Sequence, residues 1–408
     1  MSRLRTLFRP EDLIPRNRNE RILALSYLVN TVGNGFLVTI SAIYFTRVVG
    51  LTATQLGLGF SIGAGFGLAA GLFVGRWADT KDVRSLTVLF MFLAGVFDIV
   101  LVLADSFLTF VAINIAISLF DRASNTTRAV LMSRVGGPEG RVRIRAYARS
   151  IVNLGISVGT LLAGFVLAAD SPTLYRVVIV FNGLTSVVAA LSLLGLPRYE
   201  PHPEAKDHRK STALRDRNFV YLTMANSISV FHYHVVDIAL PLWIVFHTSA
   251  PVWVLSILMV MNTVSVVIFQ VRYAAGAEDL TSAARLARKA GYWLFAGVAC
   301  YSLATYFESP LLATLVLMIA SAIHVVGELN QAAAAFGVAY GTAPDALQGQ
   351  YQAVWGLGTG LGGLVAPIAL TTLCLGWGVP GWFVLGGLLF AAGFVVPIIV
   401  NARRVPHG

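Results

Sequence analysis

Arg84 to Asp105 reads RSLTVLFMFLAGVFDIVLVLAD, and between Leu86 and Ala104 its one charged residue is Asp98. An apolar run of this length outreaches a buried strand or an ordinary core helix and reads as a helix spanning a bilayer. Runs of the same kind recur on both sides of it. Spans are predicted at residues 22–47, 54–76, 84–105, 107–131, 146–169, 174–196, 219–246, 251–271, 287–307, 310–337, 350–375 and 380–401. Only structures that close their own backbone hydrogen bonds persist in hydrocarbon, and the Leu, Ala and Val content at these lengths selects helices. The composition agrees, with 56% hydrophobic and 12% charged residues, where soluble domains carry about 25% charged residues. The expected fold class is an all-α membrane protein with twelve transmembrane helices.

An even number of passes puts both termini on one side, and Lys and Arg say which. One side collects Arg3, Arg5, Arg9, Arg16, Arg18 and Arg21 of the N-terminal arm, then Arg76, Lys81 and Arg84 between spans two and three. It also collects Arg134, Arg141, Arg143, Arg145 and Arg149 after span four, and Arg198, Lys206, Arg209, Lys210, Arg215 and Arg217 after span six. Arg272, Arg285, Arg288, Lys289, Arg403 and Arg404 complete the set, whereas the other side shows little beyond Arg47 and Arg176. Both termini are therefore expected in the cytoplasm, with the protein multi-pass in the plasma (inner) membrane. The net charge of +10 is read as an orientation signal and a contact with anionic lipid, not as a nucleic-acid footprint. No apolar leader with a small-residue cleavage site precedes the first span, so that span is expected to act as an uncleaved signal. Cys300 and Cys374 lie in apolar runs and read as small packing residues.

The segment PRYEPHPEAKDHRKSTALRDRN (Pro197–Asn218) is the longest polar stretch and divides the chain. The expected parts are an N-terminal arm (1–21), a six-helix half (22–196), a linker (197–218), a second six-helix half (219–401) and a tail (402–408). The halves echo each other: Tyr147 precedes Gly155-x3-Gly159, and Tyr351 precedes Gly358-x3-Gly362. Such small-residue pairs are read as close helix packing.

The loop GRWADTKDVR (Gly75–Arg84) resembles the signature of the major facilitator superfamily, in which Gly75, Asp79 and Arg84 match and Thr80, Asp82 and Val83 depart from the pattern. Over nearly its full length the chain is also similar to actinobacterial members of drug- or metabolite-exporter type. The stretches that carry this are Val29–Gly59, Phe120–Val130 (FDRASNTTRAV), Arg141–Gly159 and Val326–Pro344. The resemblance implies two six-helix halves related by pseudo-two-fold symmetry and a small-molecule substrate; no cofactor is expected, and a monomer is the expected state. It implies that Gly75, Asp79 and Arg84 form a cytoplasmic gate, with Asp79 meeting the positive end of a helix dipole. Where antiporters of the family carry Gly-Pro in span five, Gly159 is followed here by Thr160.

Charged groups at a helix centre cost roughly 2.5–3.5 kcal/mol on insertion scales and point by default to function. In span four Asp121, Asn125 and Arg128 fall on one face and Arg122 on another. Two readings stand for Asp121: a carboxylate lining a cavity, or half of a structural ion pair. In span seven Asn226, His234 and Asp237 share a face, and an imidazole beside a carboxylate suits proton exchange near neutral pH; a plain hydrogen-bonding role for His234 is the alternative. Pro241 loosens that helix. In span ten His324, Glu328 and Gln331 share a face, read as substrate contact or a proton site; the alternative for Glu328 is a cap on a neighbouring helix end or a pair with a loop arginine. Span one carries Asn30 and Asn34 but no acid, which moves proton coupling to Asp121, His234, Asp237 and Glu328. Asp98 ranks behind them, near the outer surface. Most tryptophans and tyrosines, among them Tyr27, Tyr44, Trp243, Trp253, Trp293, Trp377 and Trp382, are expected in the interfacial belt; Tyr233 and Trp355 are the two placed in a pocket.

GLGTGLGG (Gly356–Gly363) has the spacing of a nucleotide loop but follows no strand and lies in a span. His232-x-His234 faces two ways on a helix, so no metal site is expected. No nucleophile–base–acid set appears, so no enzyme is expected either. The expected function is secondary active transport by alternating access: proton-coupled efflux, by antiport, of an amphipathic small molecule of drug or metabolite type. An importer or uniporter is the alternative within the class; a non-transporting receptor or assembly protein on the same scaffold is the alternative outside it.

Overall fold

The computed structural model describes residues 15–201 and 213–402, and among them there is no strand. Most of the expected N-terminal arm, the middle of the linker and nearly all of the tail lie outside the described residues. The first half contains α1 (Arg18–Ile43), α2 (Ala53–Thr80), α3 (Val83–Val100), α4 (Phe107–Ala169) and α5 (Pro172–Ser192). The second half begins with α6 (Arg217–Ser229), α7 (Phe231–His234) and α8 (Leu240–His247). It continues with α9 (Val254–Ala275), α10 (Leu280–Leu303), α11 (Pro310–Gly341), α12 (Gln348–Leu370) and α13 (Val379–Ala402). Among the described residues, ten helical stretches are long and apolar enough to cross a membrane. Their outer faces are apolar too: Phe165 is 76% exposed and Leu108 78%, as a lipid-facing surface requires.

Two features depart from the sequence reading. A loop is expected between residues 131 and 146; instead α4 consists of two helical arms that meet at a sharp break at Gly137 (φ 62°, ψ −176°), so the connection is shorter than expected. Glycine reaches that left-handed backbone without steric cost, and Pro138, which has no N–H to donate, begins the second arm. The arginines expected in a loop therefore stand on helix turns. Arg143 pairs there with buried Glu20 at the start of α1, and Arg141 with Asp345 at 3.0 Å. The second departure concerns the aromatics. Trp243, Trp382, Tyr44 and Tyr27 are buried in helix–helix contacts, while Trp253, Trp293 and Trp377 are exposed. A helix buried on several sides needs large side chains inside as well as at its ends.

The chain packs as two units. One takes the first half together with Pro344–Ala353; the other takes the described residues from 213 to Ala343 and from Val354 onward. Inside the first unit the second arm of α4 lies along α1. A Cβ at Gly155 would strike Thr31, and one at Gly159 the backbone of Val32 and Phe36. Inside the second unit α12 lies along α6 in the same manner, Gly358 against Thr223 and Ser227, and Gly362 against the Ser227 carbonyl. A further equivalence emerges only in the structure. Asp82 caps α3 through the N–H groups of Arg84 and Ser85 and the Ser85 hydroxyl; Asp279 caps α10 through Thr281, Ser282 and the Ser282 hydroxyl. Asp82 also accepts the Tyr199 N–H at 3.0 Å.

Partial burial alone would raise the Asp82 carboxyl, but the Ser85 hydroxyl and the N–H groups of Tyr199, Ser85 and Arg84 hold it below the usual carboxylate range. At Asp279 the Ser282 hydroxyl and N–H groups do the same. A carboxylate depressed by folding contributes stability that is complete above the unfolded value of about 3.9 and is lost as pH falls through the folded one. Asp82→Ala or Asp279→Ala is expected to cost about 0.5–2 kcal/mol at neutral pH. In thermal melts of detergent-solubilised protein, the gap to the parent narrows as pH drops below about 4. Gly159→Leu and Gly362→Leu, which force α1 or α6 away, should each lower the melting temperature more than either cap variant.

Candidate functional site

Polar residues in the spans gather into one cluster per unit. In the first unit, Arg128 of α4 is 4% exposed and donates from Nη1 to Asn30 Oδ1 of α1 at 2.9 Å. Asn30 passes the chain on, donating to Ser186 Oγ of α5 at 3.0 Å. The guanidinium lies 3.7 Å from the centroid of the Tyr27 ring; such a stack is worth about 0.5–2 kcal/mol. Two carboxylates complete the cluster. Asp98 of α3 is buried and bonded to the Asn182 side chain of α5, and it feels the charge of Asp121 of α4, which in turn feels Arg128. Asp121 and Asn125 are exposed, while Arg122 and Asn34 are half-buried. One face of α4 thus carries an open carboxylate and a closed arginine.

In the second unit the shared face of α11 meets the span containing α7. Gln331 is the hub: its Oε1 accepts from the Tyr233 hydroxyl at 2.9 Å and lies 3.3 Å from His232 Nε2, and its amide donates to Asn226 Oδ1 at 3.1 Å. Asn226 then donates to Thr359 of α12 at 3.2 Å. Glu328, one turn before the hub, accepts from Asn262 of α9 at 2.7 Å. Beside this network a small cavity of about 30 Å³ is walled by α6, α10, α11, α12 and α13, with Asn226 and Gln331 as polar groups and Leu222, Leu294, Trp355 and Val396 among the apolar ones. His234 and Asp237 stand together electrostatically but outside the hub, and Asp237 is exposed. Val235–Ala239 is a widened π-turn directly before Pro241; proline cannot supply the N–H that a regular turn would need.

The loop signature has its own geometry. Gly75 and Gly349 face each other so closely that a Cβ at Gly75 would come within 2.6 Å of the Gly349 carbonyl. One turn on, buried Asp79 accepts the backbone N–H of Gly349 at 2.5 Å and that of Gln350 at 3.0 Å. Both donors belong to the first turn of α12, where N–H groups have no helical partner and the dipole is positive. Arg84 acts at another helix end. Its Nη1 donates to the carbonyls of Leu194 and Leu196, at 3.2 and 2.9 Å, beyond the last turn of α5.

The site residues missed from sequence are His232, Asn182 and Asn262. Each is a polar side chain inside an apolar run, which is the available signal. His232 does point away from His234, as its place on the helix predicts, and the structure gives it partners on α11 instead.

A family model described as Major Facilitator Superfamily matches residues 23–327. Solved structures share the fold: the human organic anion transporter MFSD10 (TETRAN) at TM-score 0.71 and 15% identity, covering 94% of this chain and 100% of that one. A bacterial homologue of the iron transporter ferroportin, in an outward-facing state, gives TM-score 0.72 at 14% identity and covers 95% of this chain and 99% of that one. A search of curated protein sequences returned no match.

Asp79→Ala leaves two N–H groups of α12 without their acceptor, a loss of about 1–3 kcal/mol per buried group. A clear drop in melting temperature is expected, with a smaller one for Asp79→Asn, which keeps one acceptor oxygen.

Proposed function

Because the chain belongs to the major facilitator superfamily, we propose that it is a secondary active transporter working by alternating access, which exchanges protons for an amphipathic small molecule leaving the cell. What supports the proton assignment is the placing in one unit of Asp98 on α3, held by Asn182 of α5, with Asp121 and Arg128 on one face of α4. Two carboxylates and one arginine in the same unit form a set in which a single proton changes the balance of charge. Asp121 is the open member and is assigned as the carrier; Asp98 and Arg128 position its charge. The lining of the small cavity in the second unit supports the substrate class by its chemistry, apolar walls with the amides of Asn226 and Gln331, and a solute would enter only as the surrounding helices part. Gly75 and Asp79 are assigned to the gate, through their hold on the first turn of α12.

Taking the two arms of α4 as separate passes and adding α10 to the ten apolar stretches supports twelve passes. The one-sided distribution of Lys and Arg supports a cytoplasmic position for both termini. The energetics suffice: one proton crossing 100 mV supplies about 2.3 kcal/mol, which holds a neutral solute at roughly a fiftyfold gradient.

The test is proton flux in energised inverted vesicles containing the full chain, read with a pH-sensitive dye against a panel of amphipathic compounds. An active compound should dissipate the gradient only when the protein is present, and Asp121→Asn should abolish that exchange. Trp355→Ala should weaken apparent affinity roughly tenfold, or 1.4 kcal/mol. Exchange by Asp121→Asn with its pH dependence intact overturns the carrier assignment. Substrate movement without proton movement indicates a uniporter or importer, and binding without movement indicates a receptor.

A further inference from the structure

Three donor side chains converge in the second unit: His232 from α7, and His324 and Glu328 one turn apart on α11. One donor atom of each lies within 4.8 Å of the other two, and their exposures are 0%, 0% and 4%. Polar groups this deep are normally consumed by hydrogen bonds. The ring of His324 is different. Neither of its nitrogens reaches a partner in hydrogen-bond geometry, although the His232 backbone lies close to it. The imidazoles of His232 and His324 have centroids 5.6 Å apart.

The surroundings orient these donors. Asn262 holds one oxygen of Glu328 at 2.7 Å. Gln331 stands 3.3 Å from His232 Nε2; with Nε2 donating there, Nδ1 carries the lone pair. Such outer partners set ring tautomer and ligand direction at metal centres. Charge fits as well. Asp237 feels the carboxylate of Glu328, and a dication beside Glu328 would offset both negative groups.

We propose that His232, His324 and Glu328 bind a divalent transition-metal cation of the size and softness of zinc inside the second unit. Two imidazoles and a carboxylate are the donor set of such ions, whereas magnesium and calcium require oxygen throughout. Tetrahedral bonds of about 2.1 Å need donors roughly 3.4 Å apart, so binding draws the three donors together from their present spacing. Three protein ligands leave a fourth position for an exogenous donor, which suits reversible binding rather than a sealed structural centre. The site goes beyond proton-coupled export and does not depend on it.

The experiment uses purified, metal-stripped full-length protein in detergent, titrated with cobalt(II) and followed by visible absorption. One equivalent should bind with the intense bands of tetrahedral cobalt, be displaced by zinc and resist excess magnesium. His324→Asn and Glu328→Gln, checked for folding by gel filtration and circular dichroism, should each lose about tenfold or more in affinity. His247→Asn, at a ring stacked on Trp243, should bind like the parent. Should both ligand variants misfold, Asn262→Ala removes only the hydrogen bond to Glu328 and is expected to weaken cobalt binding about tenfold. Absence of saturable cobalt binding by folded parent protein overturns the proposal, as does binding that none of these substitutions weakens. Because the readout is equilibrium binding, its failure is distinct from a failure of proton exchange.

Discussion

Hydrocarbon offers no hydrogen bonds, so every polar group placed in it must be answered by protein. For the backbone the answer is the helix, which accounts for the absence of strands among the described residues. For side chains the answer is another helix. Arg128 reaches Asn30, Asp98 reaches Asn182, Gln331 reaches Tyr233 and Asn226, and Glu328 reaches Asn262. Each pair joins two helices of one unit. The groups that could move charge are thus the same groups that hold each unit together, and the cost of losing a partner in a low dielectric explains why they come in clusters.

Close packing makes those contacts possible. Gly155 and Gly159 bring α4 onto α1, and Gly358 and Gly362 bring α12 onto α6. Asn30 lies one residue before Thr31, which meets Gly155, and Asn226 lies one residue before Ser227, which meets Gly362. The glycine contacts therefore set the depth at which Asn30 and Asn226 enter their polar clusters. At Gly75 and Gly349 the same device works at a helix end, where the approach of two backbones lets Asp79 meet unsatisfied N–H groups.

The two units are alike in scaffold and unlike in chemistry. The helix caps at Asp82 and Asp279 are near copies. The first unit, however, carries two carboxylates and an arginine, while the second carries imidazoles, amides and one buried glutamate beside an apolar pocket. The same fold serves an organic anion transporter and a homologue of an iron transporter, so the cargo is decided by such side chains and not by the scaffold.

The sequence by itself determined what depends on composition and on local period. Long apolar runs specified membrane helices, the one-sided basic residues specified an expected orientation, and the Gly75–Arg84 loop pointed to the family. The 3.6-residue period also placed His324, Glu328 and Gln331 on one face of α11. What periodicity cannot state is which helix that face meets, because the meeting depends on packing between residues about a hundred positions apart. Only the tertiary structure joined His232 to α11, Asp98 to Asp121 and Asp79 to the first turn of α12. It also brought the two helical arms of α4 up to a single break at Gly137, where the charges suggested a longer loop. The physical reason is that a helix accepts arginines readily once their side chains find carboxylates, as Arg143 finds Glu20 and Arg141 finds Asp345.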